Sequence, residues 1–244
     1  MVETLTPPSI QRKNRERLIT VSAVVGTGVA LSDVSAAAQQ AIDETEIPSE
    51  LAIKIAGTAE DQKDAFGDLI MLLIMILILV YIVMASQFES FMSPFVIMFS
   101  IPFAFVGVIL GLIITGTPLG VMGMIGILIL MGIVVKNGIV LIDYTILMRE
   151  RGYSVAEASV IAAKSRLRPI LMTTLTTVLG MIPMAVGQGE GSEMWRSLGM
   201  VVAWGLSIST LVTLVIIPTV YASMASWQER RAARKVARKA AANA

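Results

Sequence analysis

The 244-residue chain contains neither cysteine nor histidine. Without thiols there is no disulfide frame, no thiolate chemistry and no cysteine-based metal site. Without imidazole it lacks the commonest metal ligand and the side chain that most readily carries protons near neutral pH. Any proton handling therefore falls to carboxylates, lysine or water. Charge is scarce as well, at 15% of residues, and the net charge of +1 offers no sign of a nucleic-acid partner. Residues 1–20 carry Glu3, Arg12, Lys13, Arg15, Glu16 and Arg17 and no apolar run, which excludes a signal peptide there.

What the chain has in abundance is apolar length. Hydrophobic residues make up 55% and the mean hydropathy is +0.78, values that belong to the membrane class. Five stretches reach the roughly 20 residues needed to cross a bilayer, over about 69–87, 95–115, 119–146, 169–187 and 197–225. The connections at 88–94 and 116–118 are short, so neighbouring spans run antiparallel. Pro94 and Pro169 fall near helix starts, whereas Pro102, Pro183 and Pro218 fall inside spans and are expected to kink them. The sixteen methionines read mostly as core or lipid-facing filler.

Orientation follows from the cations. The 149–168 connection holds Arg149, Arg151, Lys164, Arg166 and Arg168 against Glu150 and Glu157, and the segment 229–244 is a basic tail. Both belong on the cytoplasmic side. Residues 1–66 then lie outside the cytoplasm and read as a partial β-α-β unit. Its expected strands are Leu18–Val25 and Leu51–Ala56, with Ser32-Asp33 capping a helix that runs to about Asp43. One such unit cannot bury a core by itself, so the chain is expected to be the C-terminal piece of a longer polypeptide. The membrane region is expected over 67–228. Within the connection, Ser154-Val155-Ala156-Glu157 has the form of a capping box that starts a linker helix over about 155–165.

Polar residues inside the spans carry the functional signal. In the third span Lys136 and Asn137 are the only strongly polar residues between Leu119 and Ile142. An ammonium at bilayer depth costs about 2.5–3.5 kcal/mol on insertion scales. Lys136 lies 13 residues before Arg149, roughly 20 Å along a helix, which is too deep to snorkel. Asp143 is two turns away on the same face, about 10 Å; it meets headgroups or Arg166, or else belongs to a proton path. No acidic residue of the chain lies at the depth of Lys136. The lysine is therefore either neutral or paired with a carboxylate on another segment. On the fourth span Arg166, Thr173, Thr177 and Gly180 form one stripe. Its threonines either bond their own helix carbonyls or line a hydrated path. Five glycines of the third span (Gly120, Gly123, Gly126, Gly132 and Gly138) suit close helix packing.

The blocks GIVVKNGIVLIDYTILMRERG (132–152) and RLRPILMTTLTTVLGMIPMA (166–185), together with ASQFESFMSPFVIMFSIPFAFVG (85–107) and the helix from Ser197 to Tyr221, resemble a known family. They are similar to the C-terminal membrane half of resistance-nodulation-division efflux transporters, nearest the hydrophobe/amphiphile multidrug branch. The resemblance covers essentially residues 10–225. It implies a mostly α, polytopic membrane helix bundle whose five helices correspond to the eighth to twelfth of twelve. Residues 1–66 would be a small α/β piece of a periplasmic porter subdomain. It further implies a secondary active transporter, a proton antiporter rather than an enzyme, with no cofactor beyond the proton gradient.

Lys136 matches the family lysine that pairs with two aspartates on the fourth helix. Asn137, Thr173 and Arg166 match its neighbours in the proton relay. Depth counting puts Thr177 nearer than Thr173 to Lys136, so Thr177 is carried as a second choice and Asp143 as a further relay candidate. Gly67, before the first span, is the expected coupling hinge. The partners implied are an N-terminal half bearing the aspartate pair, a homotrimer, a periplasmic adaptor and an outer-membrane channel, in the bacterial inner membrane. The metal-exporting branch carries an acidic residue in the fourth-span block, and its lack here points away from copper or silver. The alternatives are an inert, truncated membrane scaffold, or a lipid- or protein-export cousin of the same superfamily.

Overall fold

The computed structural model describes residues 11–13, 15–23, 31–46, 48, 51, 53–187 and 192–242. Two units separate, Met1–Ala59 and Glu60–Ala244. In the first, β1 (Gln11–Lys13) and β2 (Glu16–Leu18) pair antiparallel in the register Gln11↔Leu18, with Arg15 at φ 72° in the turn between them. Helix α1 (Leu31–Asp43) follows. Among the described residues the order is thus a hairpin followed by a helix, where β-α-β was expected. The strand expected from Leu18 ends there, with residues 19–23 irregular, and the described part of 51–56 is not a strand. Val24, Val25 and Ala52 of those expected strands lie outside the described residues, as do 188–191 of the loop after the fourth span. Ile19 and Val21 are almost fully exposed, and their β propensity finds no sheet partner among the described residues of this unit.

The second unit is the helical bundle. Its elements are α2 (Thr58–Gln87), α3 (Met92–Met98), α4 (Ile101–Thr115), α5 (Val121–Glu150), α6 (Val155–Val186) and α7 (Ser192–Ala242). Among the described residues, five helices are long and apolar enough to cross a membrane, with α3 and α4 together making the second. The protein is a polytopic, mostly α membrane protein with a small N-terminal strand pair.

Proline chemistry accounts for two departures from the sequence expectation. Pro102 does not kink a continuous helix: the chain breaks at Phe99–Ser100, and α4 restarts with the proline in its first turn, where no N–H is needed. Pro169 lies inside α6 rather than at its start. The linker helix expected over 155–165 is therefore the first part of one 32-residue helix, roughly 48 Å long. That exceeds the roughly 30 Å thickness of a bilayer core. The capping box is present: Ser154 Oγ accepts from the Glu157 N–H, and the Ser154 N–H donates to Glu157 Oε2 at 3.2 Å. Likewise α7 runs on through the basic segment, where Arg231 stacks 3.6 Å from the Trp227 ring.

Glycine closes two of the turns. Gly116 (φ 61°) caps α4 in the left-handed conformation, and Gly152 (φ 94°) turns the chain between α5 and α6. Helix α5 is the axis of the bundle, with fourteen buried residues. Helix α7 packs along α4, α5 and α6. Helix α2 reaches the core through one stripe, Phe66, Leu69, Leu73, Leu77, Val80 and Met84, and leaves its remaining apolar surface exposed.

Candidate functional site

Although α5 is the most buried helix, it keeps one narrow open stripe. Ile129, Gly132, Lys136, Asp143 and Leu147 are exposed, and their spacing of three, four, seven and four residues places them on one face. The residues on either side of the lysine, Val135 and Asn137, are buried. Lys136 is thus turned out of the bundle, and among the described residues no ion pair engages it. Asp143, seven residues on, is also exposed.

Helix α6 borders this stripe. The Arg166 guanidinium lies 4.6 Å from the Tyr144 ring centroid, a cation–π contact that ties α6 to the C-terminal part of α5. The alternative in which Asp143 takes Arg166 is not the one adopted. The aromatic neighbour holds the guanidinium, whose Nε is buried without a hydrogen-bond partner. Because α5 and α6 are antiparallel, eight residues back along α5 from Tyr144 and eight forward along α6 from Arg166 stand level. Lys136 is therefore at the height of Thr173–Thr174, and Thr177 lies nearly a turn further on.

The four threonines of α6 divide into two kinds. Thr173 donates to the Ile170 carbonyl at 2.9 Å, Thr176 to Met172 at 2.8 Å and Thr177 to Thr173 at 2.9 Å. These are the helix-internal bonds expected of hydroxyls in an apolar setting. Thr174 alone crosses to another helix, 3.1 Å from Thr210 Oγ1 on α7. Sequence reasoning passed over Thr174 because its neighbour Thr173 carried the motif. The signal for it was a second cluster of hydroxyl residues, Ser207, Ser209, Thr210 and Thr213, in the last span. At the C-terminal end of α5, Arg149 Nη1 approaches Tyr221 Oη at 3.5 Å. Gly67 lies within α2 and is exposed, because the helix begins at Thr58 rather than after the glycine.

The surface therefore presents one ammonium, one carboxylate and the threonine edge of α6 on an open face. Among the described residues no three Asp or Glu side chains gather into a metal-holding group. Such an arrangement leaves the ammonium open to a carboxylate from another segment.

Comparison with known proteins gives the class. Residues 1–225 match the AcrB/AcrD/AcrF family, and the chain belongs to that family of resistance-nodulation-division efflux transporters. It is 40% identical over 210 residues to the swarming motility protein SwrC of Bacillus subtilis (strain 168), covering 84% of this chain and 20% of that protein. It is 34% identical over 225 residues to the multidrug resistance protein MdtC of Erwinia tasmaniensis, covering 92% and 22%. The fold is similar to the crystal structure of a heavy metal efflux pump, with a TM-score of 0.70 and 33% identity over 82% of this chain and 20% of that one. The chain thus spans about a fifth of the length of these relatives.

Proposed function

We propose that this chain supplies the lysine side of a transmembrane proton relay in a proton-driven efflux pump for hydrophobic or amphiphilic compounds. The observation that carries the reading is the open stripe on α5. An ammonium at bilayer depth on the exposed face of an otherwise buried helix needs a carboxylate partner from a second segment. In this reading the partner is an aspartate pair on the N-terminal half of the pump. Protonating the pair removes its attraction for Lys136, and α5 and α6 move against the partner helices. Thr173, Asn137 and Arg166 frame the exchange, with Thr177 and Asp143 further along it. The exposed Gly67 in α2 is the hinge that passes the motion outward.

The same reading puts the chain in the bacterial inner membrane, with residues 1–66 periplasmic and the basic tail cytoplasmic. Its assembly is a homotrimer with a periplasmic adaptor and an outer-membrane channel, and the proton gradient is its energy source. The relative named for multidrug resistance supports an organic substrate. The likeness to a heavy metal efflux pump favours a metal-ion cargo as the second reading.

The test is co-expression with an N-terminal half carrying the aspartate pair, in cells lacking other pumps, reading dye accumulation and metal resistance separately. Efflux of dye that Lys136→Ala lowers to background is expected. Wild-type pumping by Lys136→Ala would sink the relay, and resistance to metal without dye efflux would overturn the substrate class.

A further inference from the structure

The core of the bundle holds two hydroxyls that the relay face does not use. Ser209 and Thr213 on α7 are 0% and 2% exposed, and Ser209 Oγ and Thr213 Oγ1 have no hydrogen-bond partner. Their behaviour differs from that of the hydroxyls around them. On the same helix Ser207 donates to Ala203 and Thr219 to Val215, both at 2.7 Å. Ser209 and Thr213 do not close on their own carbonyls and are turned inward, one turn apart on a single stripe. A fully desolvated hydroxyl without a partner is costly, and ordered water is a common partner of buried polar groups.

The neighbourhood supplies what a water needs. Helices α5 and α7 run parallel, since Gly126 faces Val201, Gly205 faces Leu130 and Gly138 faces Ile217 in order along both. Thr213 lies between the last two contacts, which sets it at the level of Val134–Asn137. Asn137 is 8% exposed and shares the buried face of α5 with Leu130, Val134 and Leu141. Next to this group, Thr210 joins α7 to Thr174 on α6.

We propose that Ser209 and Thr213 bind ordered water inside the bundle, with the Asn137 amide as its further partner. The result is a hydrated layer across α5, α7 and α6 at the height of Lys136, one helix inward from the open stripe. The site does not rest on the relay reading.

Its test uses the full chain in lipid nanodiscs, with thermal melting followed by the fluorescence of its three tryptophans. Thr213→Val and Ser209→Ala are each expected to lower the midpoint by about 2–4 °C. The double variant should lose less than the sum, because one removal already empties the shared site. Thr213→Ser, which keeps the hydroxyl, should melt near the wild type. A midpoint unchanged or raised in Thr213→Val, or losses that simply add, would overturn the proposal. Failure of Lys136→Ala to impair efflux would remove the relay and leave these melting results untouched.

Discussion

At the scale of single residues, Lys136 and Asn137 show how one helical step divides two fates. They are adjacent and both polar, yet a turn of about 100° sends the ammonium out of the bundle and the amide into it. The lysine was legible in the sequence because charge in an apolar run is conspicuous. The direction it faces was not, since α5 is apolar on every side. The same limit hid Thr174, whose bond to Thr210 depends on packing between helices far apart in sequence. Ser154, by contrast, was readable from four residues alone. Its hydroxyl and N–H hold the Glu157 carboxyl below the usual carboxylate range. The cap's contribution is therefore present above the ordinary carboxylate pKa and is lost as pH falls through the lowered value. Ser154→Ala should cost about 1 kcal/mol of stability at this helix end. Hydrogen exchange of residues 155–162 should show faster opening in that variant at neutral pH, and a smaller difference in acid.

At the scale of elements, small residues decide where helices touch. A methyl at Gly199 would stand 2.8 Å from the Ala185 backbone nitrogen and 3.2 Å from the Met181 carbonyl, neither of which can move away cheaply. Gly199→Ala should destabilise the α6–α7 contact by about 1–3 kcal/mol, read as a lower melting midpoint. Gly132 behaves differently because nothing lies within 4 Å of its missing methyl and it sits on the open stripe one turn from Lys136. Gly132→Leu should leave the melting of this chain unchanged or slightly raised, while weakening its co-purification with the N-terminal half. Equal recovery of the partner would show that this stripe is not the joining face. Element boundaries were less legible than element existence. Apolar runs marked the five spans, but polar sequence did not reveal that α6 and α7 continue as helix beyond their apolar stretches. The broken second span follows from Pro102, whose effect was anticipated as a kink and realised as a restart. The N-terminal β-rich segment went furthest astray, because strand pairing needs a neighbour that propensity alone does not name.

At the scale of the whole molecule, the bundle is complete on one side and open on the other. Its interior is closed by α4, α5, α6 and α7 packing on a shared core, while the stripe of α5 that bears Lys136 faces outward. Among the described residues, Lys136 is a charge set within the apolar run of α5 and exposed on its open stripe. The family supplies the frame, in which this chain spans about a fifth of its relatives. The central claim is that Lys136 couples proton movement to transport, and proton flux tests it most directly. The co-assembled halves would be placed in liposomes carrying an internal pH dye, with an imposed proton gradient and substrate added outside. Substrate-dependent proton flux in the wild type, lost in Lys136→Ala at equal reconstitution, is the predicted result. Equal substrate-dependent flux in the two proteins would contradict the account.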